Sequence, residues 1–452
     1  MSFWNRFRAA FAATPIQKRI GRASLWLLAG SAVGHVLGVI SGILAARILG
    51  RVEFGKLGIL RSSIDMLTLV AGLGLGVTAC KHVAEFRSRV PERAGRVIGF
   101  TGRVAWLSGS VFAIALCVHA GWFARVLGAP ELVAELRIAA VALLFSTVSG
   151  VYSGVLGGFE AFREQARIQM TVGLIAPPAV LIGVLTDGLR GAMTGYGLTS
   201  FASLWLSRRA VLAKVRQNGI AVDTALNRGE VSILLRFALP ALLSGLTITP
   251  VLWAGNTILA RAPGGYWELG LIGAGQHWRQ AVLFIPITVG TAVLPILANL
   301  YGEKDEAAYQ EAFGTGLLVN LTATLPVAVL IVVMSPLILR LYGRQFAAGE
   351  LVLVLFVLAG TLQAISAVGG QVLMSRGKAW LALCLNLGWA CVFLGTAALL
   401  CPRFGAIGLA SAYLLSYLSH FLLSVLAVWK LLVPHRGLAS LPNRSPGGRS
   451  SS

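Results

Sequence analysis

Charged residues are scarce in this sequence. They make up only 12% of its 452 residues, whereas soluble globular chains carry about 25%. Hydrophobic residues account for 56%, and a chain this apolar could not keep its surface wet if it folded in water. The composition therefore excludes a set of soluble domains and indicates a protein embedded in a membrane.

Acidic residues are the scarcer of the two signs, with 17 Asp and Glu against 38 Lys and Arg. The net charge of +21 would also suit a nucleic-acid-binding protein, but the placement of the basic residues argues otherwise. Roughly two thirds of them lie in the N-terminal segment and in every second connection between apolar runs, as in cytoplasmic loops. We therefore expect both termini in the cytoplasm, attraction to anionic membrane lipids and no nucleic-acid partner.

Motifs of catalytic and metal sites are also missing. There is no Walker-type glycine-rich loop for nucleotide phosphates, and the six histidines form no H-x-x-x-H pair of the zinc-protease type. The five cysteines include no C-x-x-C pair and are typical of buried apolar thiols. The sequence therefore predicts a protein that is not an enzyme and that holds neither a metal nor a cofactor.

Long apolar runs are what the sequence has instead. Each covers about 20 residues, enough for a helix to cross roughly 30 Å of bilayer hydrocarbon. The predicted fold class is an all-α integral membrane protein with about twelve transmembrane helices. The predicted spans are approximately 23–46, 57–79, 98–120, 136–157, 168–186, 191–213, 233–260, 269–298, 313–334, 348–373, 379–401 and 405–429.

An internal repeat divides these spans into two sets. Gly50 follows the first span and Gly264 follows the seventh, while Gly191 opens the sixth span and Gly405 opens the twelfth. The two pairs have the same separation in sequence, and the matching ends of the fourth and tenth spans have nearly the same one. The repeat predicts two parallel six-helix lobes, and transporters built this way commonly bind their substrate between the repeats.

The chain is accordingly divided into five predicted segments. Phe3, Phe7 and Phe11 share one helix face in the N-terminal segment, which indicates an amphipathic helix on the inner leaflet. The tail is rich in Pro, Gly, Ser and Arg, which is typical of disorder. The segments are 1–22 (amphipathic, cytoplasmic), 23–216 (N-terminal lobe), 217–232 (cytoplasmic linker), 233–433 (C-terminal lobe) and 434–452 (disordered cytoplasmic tail).

Polar residues at membrane depth are the candidates for a binding site, because ionisable groups there are costly and usually functional. Arg61 and Asp65 lie one turn apart in the second span, either on a cavity wall or as an interfacial arginine with its counter-ion. Arg279 in the eighth span has no acidic residue in its span, and Gln276 precedes it by one turn. An unpaired arginine facing lipid would be expensive, so we expect Arg279 to face an aqueous cavity or an anion.

Three further residues complete the candidate set. His35 belongs to a stripe of small and polar residues in the first span, which suits helix packing as well as a cavity wall. Asn256 in the seventh span suits either packing or a hydrogen bond to substrate, and Arg47 is either a topological anchor or a substrate contact.

Prolines interrupt the predicted fifth, seventh, eighth and ninth spans. A proline removes one backbone hydrogen bond and kinks a helix. The kinks suit either helices that bend during alternating access or static packing. The residues concerned are Pro177, Pro178, Pro240, Pro250, Pro286, Pro295 and Pro326.

Short glycine motifs carry a resemblance to a known family. Residues 46–55 read ARILGRVEFG and resemble the Ala-Arg-x-Leu-Gly-x-x-x-Tyr/Phe-Gly junction of bacterial polysaccharide and O-antigen flippases. The GLGLG of residues 72–76 and the LGGF of residues 156–159 are similar to that family too. These flippases belong to the multidrug, oligosaccharidyl-lipid and polysaccharide exporter superfamily.

The resemblance implies a V-shaped pair of lobes around a central cavity. It implies movement of an undecaprenyl-pyrophosphate-linked oligosaccharide, a repeat unit of O-antigen, capsule or exopolysaccharide, from the inner to the outer leaflet of the bacterial cytoplasmic membrane. Arg61, Arg279 and Arg47 are the candidates for binding its diphosphate, since arginine binds phosphate bidentately. A polysaccharide polymerase and chain-length machinery are the implied partners, and a proton or sodium gradient is the candidate driving force.

Two other functions are weighed against this one. A cation-coupled multidrug antiporter of the same superfamily would be expected to have an acidic cation site, and Asp65 is the only acid at membrane depth. A membrane glycosyl polymerase or ligase would be expected to have a large arginine-rich outer loop, whereas the outer connections here are short.

Overall fold

The computed structural model describes residues 15–223, 238–239, 242–243 and 245–432, with side chains from residue 34 onward except for six between residues 285 and 295. The predicted amphipathic helix and the predicted disordered tail therefore lie outside the described residues. So do residues 224–232 of the predicted linker.

The described part of the chain consists of α-helices joined by short connections and two 3₁₀ turns, Pro130–Leu132 and Arg344–Gly349. The apolar runs set these elements, because a helix satisfies every backbone polar group within lipid. The helices are α1 (Pro15–Gly72), α2 (Leu75–Phe86), α3 (Pro91–Val118), α4 (Ala120–Leu127), α5 (Val133–Gly158), α6 (Phe162–Gln217), α7 (Thr249–Ala260), α8 (Gly265–Gly302), α9 (Glu306–Val333), α10 (Ser335–Tyr342), α11 (Glu350–Ser375) and α12 (Ala379–Leu432).

Three of these helices change direction at a glycine. The backbone of α1 leaves the helical region at Gly50, that of α6 at Asp187 and Gly188, and that of α12 at Gly405. Each of these glycines has a positive φ, which only glycine adopts without strain. Within the described residues, seven helical segments are long and apolar enough to cross a membrane, among them parts of all three kinked helices. The count of twelve spans stays a prediction.

The internal repeat has a counterpart in the backbone. Gly50 and Gly264 both have a positive φ, of 77° and 66°, although their ψ angles of 173° and 14° differ. Gly188 and Gly405 have nearly identical φ values of 53° and 54°. By backbone conformation Gly405 therefore corresponds to Gly188, which lies about one helical turn before Gly191, the counterpart given by the sequence repeat. The short helices α4 and α10 occupy corresponding places as well. We call α1–α6 the first half of the molecule and α7–α12 the second half.

Three helices continue through prolines that were predicted to interrupt them. The backbone of α6 stays helical through Pro177 and Pro178, that of α8 through Pro286 and Pro295, and that of α9 through Pro326. The predicted kinks at these prolines stay predictions. In a membrane the carbonyl freed by proline can be satisfied by neighbours. Pro250 instead lies in the first turn of α7, where its missing N–H costs nothing.

Large apolar side chains cover the outside of the molecule. Leu107 is 66% exposed, Val118 69% and Leu399 72%, which would be costly in water and is favourable against lipid. The largest buried cluster instead includes residues of both halves, for example Leu60 of α1 and Phe356 of α11. The core therefore joins the two halves, and the apolar rim faces the bilayer.

Within the first half, α2 and α5 approach each other at glycines. A Cβ atom at Gly154 would lie 2.0 Å from the carbonyl oxygen of Gly76, while one at Gly150, one turn earlier, would meet nothing within 4 Å. Small residues let membrane helices pack this closely, and dispersion between the backbones then holds them together.

This contact gives a stability prediction with a matched control. Gly154→Ala should destabilise the protein by about 1–3 kcal/mol, because the new methyl group must push α5 away from α2. Gly150→Ala should leave stability unchanged or raise it slightly, since alanine favours helix. Thermal unfolding of both purified variants in detergent checks this. Equal melting temperatures would show that the two helices are not packed as described.

Candidate functional site

The two halves meet at the end of the molecule where their first connections lie, around Gly50 and Gly264; we call this the junction end. A Cβ atom at Gly55 would lie 2.2 Å from the carbonyl oxygen of Tyr266. A Cβ atom at Gly270 would lie 2.4 Å from the carbonyl oxygen of Arg51. The two contacts are equivalent under the repeat, so the halves touch backbone to backbone about a pseudo-twofold axis.

Arg51 ties the first half to the second at this contact. Its side chain is buried, with 4% of its surface exposed. Its Nη2 lies 3.2 Å from Oε1 of Glu268, and its Nε and Nη1 donate to the carbonyl oxygens of Trp267 and Gln345 at 2.6 and 3.1 Å. Oε2 of Glu268 accepts in turn from the backbone N–H of Ala406 at 3.0 Å. The hydrogen-bonding groups of Arg51 and Glu268 are thus satisfied by contacts within the protein.

A reciprocal set of bonds runs from the second half to the first. Arg261 donates through Nε to the carbonyl oxygen of Val126 at 2.8 Å. The hydroxyl of Tyr266 donates to the carbonyl oxygen of Leu127 at 3.0 Å. At the opposite end of the helices, the described ion pairs stay within one half, as in Lys214–Glu164. The junction end is therefore closed by polar contacts between the halves.

Arg61 and Asp65 lie between the halves, farther along α1. Both side chains are exposed, and the Arg61 guanidinium lies 5.4 Å from the ring centre of Tyr196 on α6. The charge of Arg61 also acts on Asp65 and on His277 of α8. Since Tyr196 belongs to the first half and His277 to the second, this placement favours a cavity wall over a lipid interface.

Arg279 is buried inside the second half, with 6% of its surface exposed. Its Nε and Nη2 donate to Oε1 of Gln276 at 3.0 and 2.8 Å, and its Nη1 donates to Oε1 of Gln363 on α11. The guanidinium lies 5.4 Å from the ring centre of Tyr413, whose hydroxyl accepts from Gln276 at 2.6 Å. Tyr417 on α12 is a further hydrogen-bond partner.

The two buried arginines differ in how their charge is balanced. Arg51 has the carboxylate of Glu268 beside it, whereas within the described residues Arg279 has no carboxylate at ion-pair distance and only neutral partners. Burying a charge without a counter-ion costs several kcal/mol. The charge of Arg51 is therefore balanced within the protein, whereas an anionic ligand would balance the charge of Arg279.

A cavity adjoins Arg279 in the second half. It encloses about 360 Å³, at the lower end of the range for ligand pockets. Gln363 and Tyr417, which both contact Arg279, are part of its wall. Its other polar wall residues are Ser366, Gln371, Asn386, Trp389, His420 and Ser424.

The three remaining predicted residues lie apart from this cavity. His35 packs its ring 4.7 Å from that of Phe284, so it joins α1 to α8. Asn256 on α7 has a buried Oδ1 without a hydrogen-bond partner in the described part of the chain. Arg47 is exposed. The structure thus brings Arg279 and Gln276 together, and places Arg61 with Asp65 at a second position between the halves.

Several residues of the cavity were not predicted. Gln363, Gln371, Asn386, Trp389 and Tyr417 lie on α11 and α12. The signal that could have found them is the presence of single amides inside two otherwise apolar spans. Glu268 was missed as the partner of Arg51, although both residues follow corresponding connections of the repeat.

The described residues contain no group of three or more His, Cys, Asp or Glu side chains that could hold a metal ion. The polar groups that they do gather are a buried guanidinium, amides, hydroxyls and an indole. Such groups bind an anion and neutral hydroxyls through hydrogen bonds.

Comparison with protein families gives two matches. Residues 20–301 match the family described as polysaccharide biosynthesis protein. Residues 240–393 match the family described as MatE.

Two curated relatives match along much of the chain. The chain is 23% identical over 431 residues to the lipid III flippase of Escherichia coli (strain K12), covering 91% of this chain and 99% of that protein. It is 26% identical over 314 residues to the EPS I polysaccharide export inner membrane protein EpsE of Ralstonia solanacearum, covering 67% of this chain and 69% of that protein.

Solved transporter structures share the fold. A multidrug resistance MATE family transporter of the MOP superfamily in an inward-facing conformation gives a TM-score of 0.75 at 16% identity, covering 90% of this chain and 98% of that one. Its outward-facing conformation gives a TM-score of 0.68 at 17% identity, covering 93% and 97%. The chain therefore has the two-lobed helical fold of these transporters.

Proposed function

Because this chain belongs to the polysaccharide biosynthesis protein family, whose model matches well over half of it, we propose that it is a flippase for lipid-linked oligosaccharide. The family resemblance predicted from the glycine motifs is confirmed. The proposed substrate is a repeat unit of O-antigen, capsule or exopolysaccharide on undecaprenyl pyrophosphate, moved from the inner to the outer leaflet by alternating access.

Arg279 is the observation that carries this proposal. Its buried guanidinium has neutral partners only among the described residues, and two of those partners form the wall of a polar cavity. A diphosphate supplies the missing negative charge, and arginine matches its geometry. Arg61, which lies between the halves, provides a second positive charge along the proposed substrate path. Arg47 is proposed as a third phosphate contact at the edge of this path.

The charge of the site argues against the antiporter. A site for cationic drugs needs carboxylates, and Asp65, next to Arg61, is the candidate for one. The cavity wall beside Arg279 has no acidic residue among its described members. The likeness to multidrug transporters is one of fold at 16–17% identity, so it does not favour that substrate class.

The contacts between the halves support alternating access. The polar contacts of Arg51, Arg261 and Tyr266 close the junction end. We propose that a substrate enters while these contacts are made and leaves after they break. In this scheme the junction end faces the outside and both termini lie in the cytoplasm, as the distribution of basic residues indicates.

The setting of the protein follows from the same proposal. The chain is a membrane protein, and its curated relatives are named as a flippase and as an inner membrane export protein rather than as enzymes. We propose the bacterial cytoplasmic membrane as its location, a proton or sodium gradient as its driving force, and a polysaccharide polymerase with chain-length machinery as its partners.

A leaflet assay in proteoliposomes tests the function. The purified protein is reconstituted with undecaprenyl-pyrophosphate-linked oligosaccharide, and an impermeant glycan-oxidising reagent is added outside. We expect the oxidised fraction to exceed that of protein-free vesicles, and to depend on an imposed proton or sodium gradient. If accessibility is unchanged for several glycans under both gradients, the flippase proposal fails and cation-coupled drug efflux becomes the function to measure.

A further inference from the structure

The cavity beside Arg279 has a wall without formal charge. Amide, hydroxyl, imidazole and indole groups make up its described polar surface, and apolar side chains such as Leu385 make up the rest. A pocket of this kind fits a neutral ligand with several hydrogen-bonding groups. It does not fit a lipid tail, which would leave these groups buried without partners.

Part of the hydrogen-bonding capacity of this wall is unused. The indole of Trp389 is 3% exposed, and its Nε1 donor has no partner among the described residues. The buried Oε1 acceptor of Gln371 likewise has no partner in the described part of the chain. Buried polar groups in native proteins are normally satisfied. Both side chains belong to the wall of one cavity. A rotation of either side chain would turn its unused group toward a ligand hydroxyl, which both donates and accepts.

One end of the cavity is electropositive. Arg279 donates to Oε1 of Gln363, so the Gln363 amide nitrogen is the free end of that side chain. The neighbouring charge polarises this amide and strengthens the bonds that it donates. The cavity can therefore receive an anionic group at the Gln363 end and hydroxyl groups elsewhere.

We propose that this cavity is a binding site for a glycosyl phosphate, with the sugar ring against Trp389, Gln371 and Asn386 and the phosphate at the amide of Gln363, which Arg279 polarises from behind the cavity wall. A sugar carries several hydroxyl groups and no charge. Its phosphate supplies the negative charge that balances the positive charge of Arg279. This site deepens the proposed function and rests on it. It assigns the sugar–phosphate junction of the lipid-linked substrate to the interior of the second half.

Calorimetric titration of the purified full-length protein tests the site. The probes are glucose 1-phosphate, galactose 1-phosphate and N-acetylglucosamine 1-phosphate, with the free sugars and inorganic phosphate titrated separately. At least one glycosyl phosphate should bind at least about tenfold more tightly than its sugar or phosphate alone, since both ends of the cavity contribute. Phosphate binding as tightly as every glycosyl phosphate would overturn the sugar site, and so would the absence of binding by all three.

A variant with a matched control locates the site. Asn386→Leu keeps the branched outline and the number of heavy atoms of the side chain and removes its hydrogen-bonding groups, so it should weaken glycosyl phosphate binding about tenfold. Cys384→Ser on the exposed face of the same helix should bind as the wild type does. Equal affinity of the Asn386 variant and the wild type would place the sugar elsewhere.

The leaflet assay separates this proposal from the proposed function. If the wild type flips lipid-linked oligosaccharide and Asn386→Leu flips it equally well, the function stands and the site is wrong. If the wild type binds glycosyl phosphates at Asn386 but flips no substrate, the site stands and the flippase proposal fails.

Discussion

Replacing Arg279 with glutamine is expected to abolish transport of lipid-linked oligosaccharide while the protein still inserts and folds. The guanidinium is 6% exposed and has amide and phenol partners only among the described residues. Removing it takes away the positive charge that strengthens the bonds of Gln363 to the substrate, and hydrogen bonds assisted by a charge are worth about 1.5–3 kcal/mol, or roughly ten- to hundredfold in affinity. The leaflet assay should fall to the level of protein-free vesicles.

Stability should move in the opposite direction to activity in this variant. Among the described residues no carboxylate loses its partner when Arg279 is removed. The amide oxygens of Gln276 and Gln363 lose a donor, but the larger cost of the uncompensated buried charge disappears. The melting temperature should therefore be unchanged or higher. Arg340→Gln, at an exposed position on α10, is the control and should transport normally. Wild-type transport by Arg279→Gln would remove this residue from the substrate path.

Replacing Arg51 with glutamine is expected to open the junction end. This substitution leaves the Glu268 carboxylate, 27% exposed, without its cation, and two carbonyl oxygens lose their donor. Removing one member of a buried pair costs about 3–5 kcal/mol, and the contact exists only while the halves are closed. The population ratio of closed to open molecules should fall about a hundredfold or more.

Distances between spin labels measure this shift. Labels at Arg125 on α4 and Arg340 on α10, both exposed near the junction end, should move apart in Arg51→Gln relative to the wild type. A charge swap with Glu268 should not restore closure, since Arg51 also donates to the carbonyl oxygens of Trp267 and Gln345. An unchanged distance distribution in Arg51→Gln would show that this pair does not hold the halves together. Thermal stability should fall here, in contrast to Arg279→Gln.

The fold class and the repeat could be predicted because they depend on local properties. Apolar runs of membrane length predict helices whatever their neighbours are. Gly50 and Gly264 mark corresponding connections in both halves, and the structure gives both a positive φ. The prolines were a weaker guide, because the consequence of a proline depends on whether neighbouring helices satisfy the freed carbonyl. Pro177 and Pro178 lie within a continuous helix.

The site could be predicted only in part. Arg279 and Gln276 share one helix, so their proximity follows from spacing. Gln363 and Tyr413 come from other helices, and hydropathy does not say which face of a membrane helix is turned inward when both faces are apolar. Arg51 was recognised as part of a motif, but its partner Glu268 is far away in sequence, on the other side of the repeat.

The paired glycine contact at the junction end bears on how the chain arose. Gly55 meets the backbone of residue 266, and Gly270 meets that of residue 51, so each half presents the same positions to the other. This is the reciprocity of an isologous interface between identical subunits. Two copies of one half, related by a twofold axis, would make the same pair of contacts, and duplication and fusion of a gene for one half would produce this arrangement. Arg51 corresponds to Gly265 when Gly50 is matched with Gly264, and to Tyr266 when Gly55 is matched with Gly270. Neither residue is basic, so the ion pair with Glu268 is not repeated.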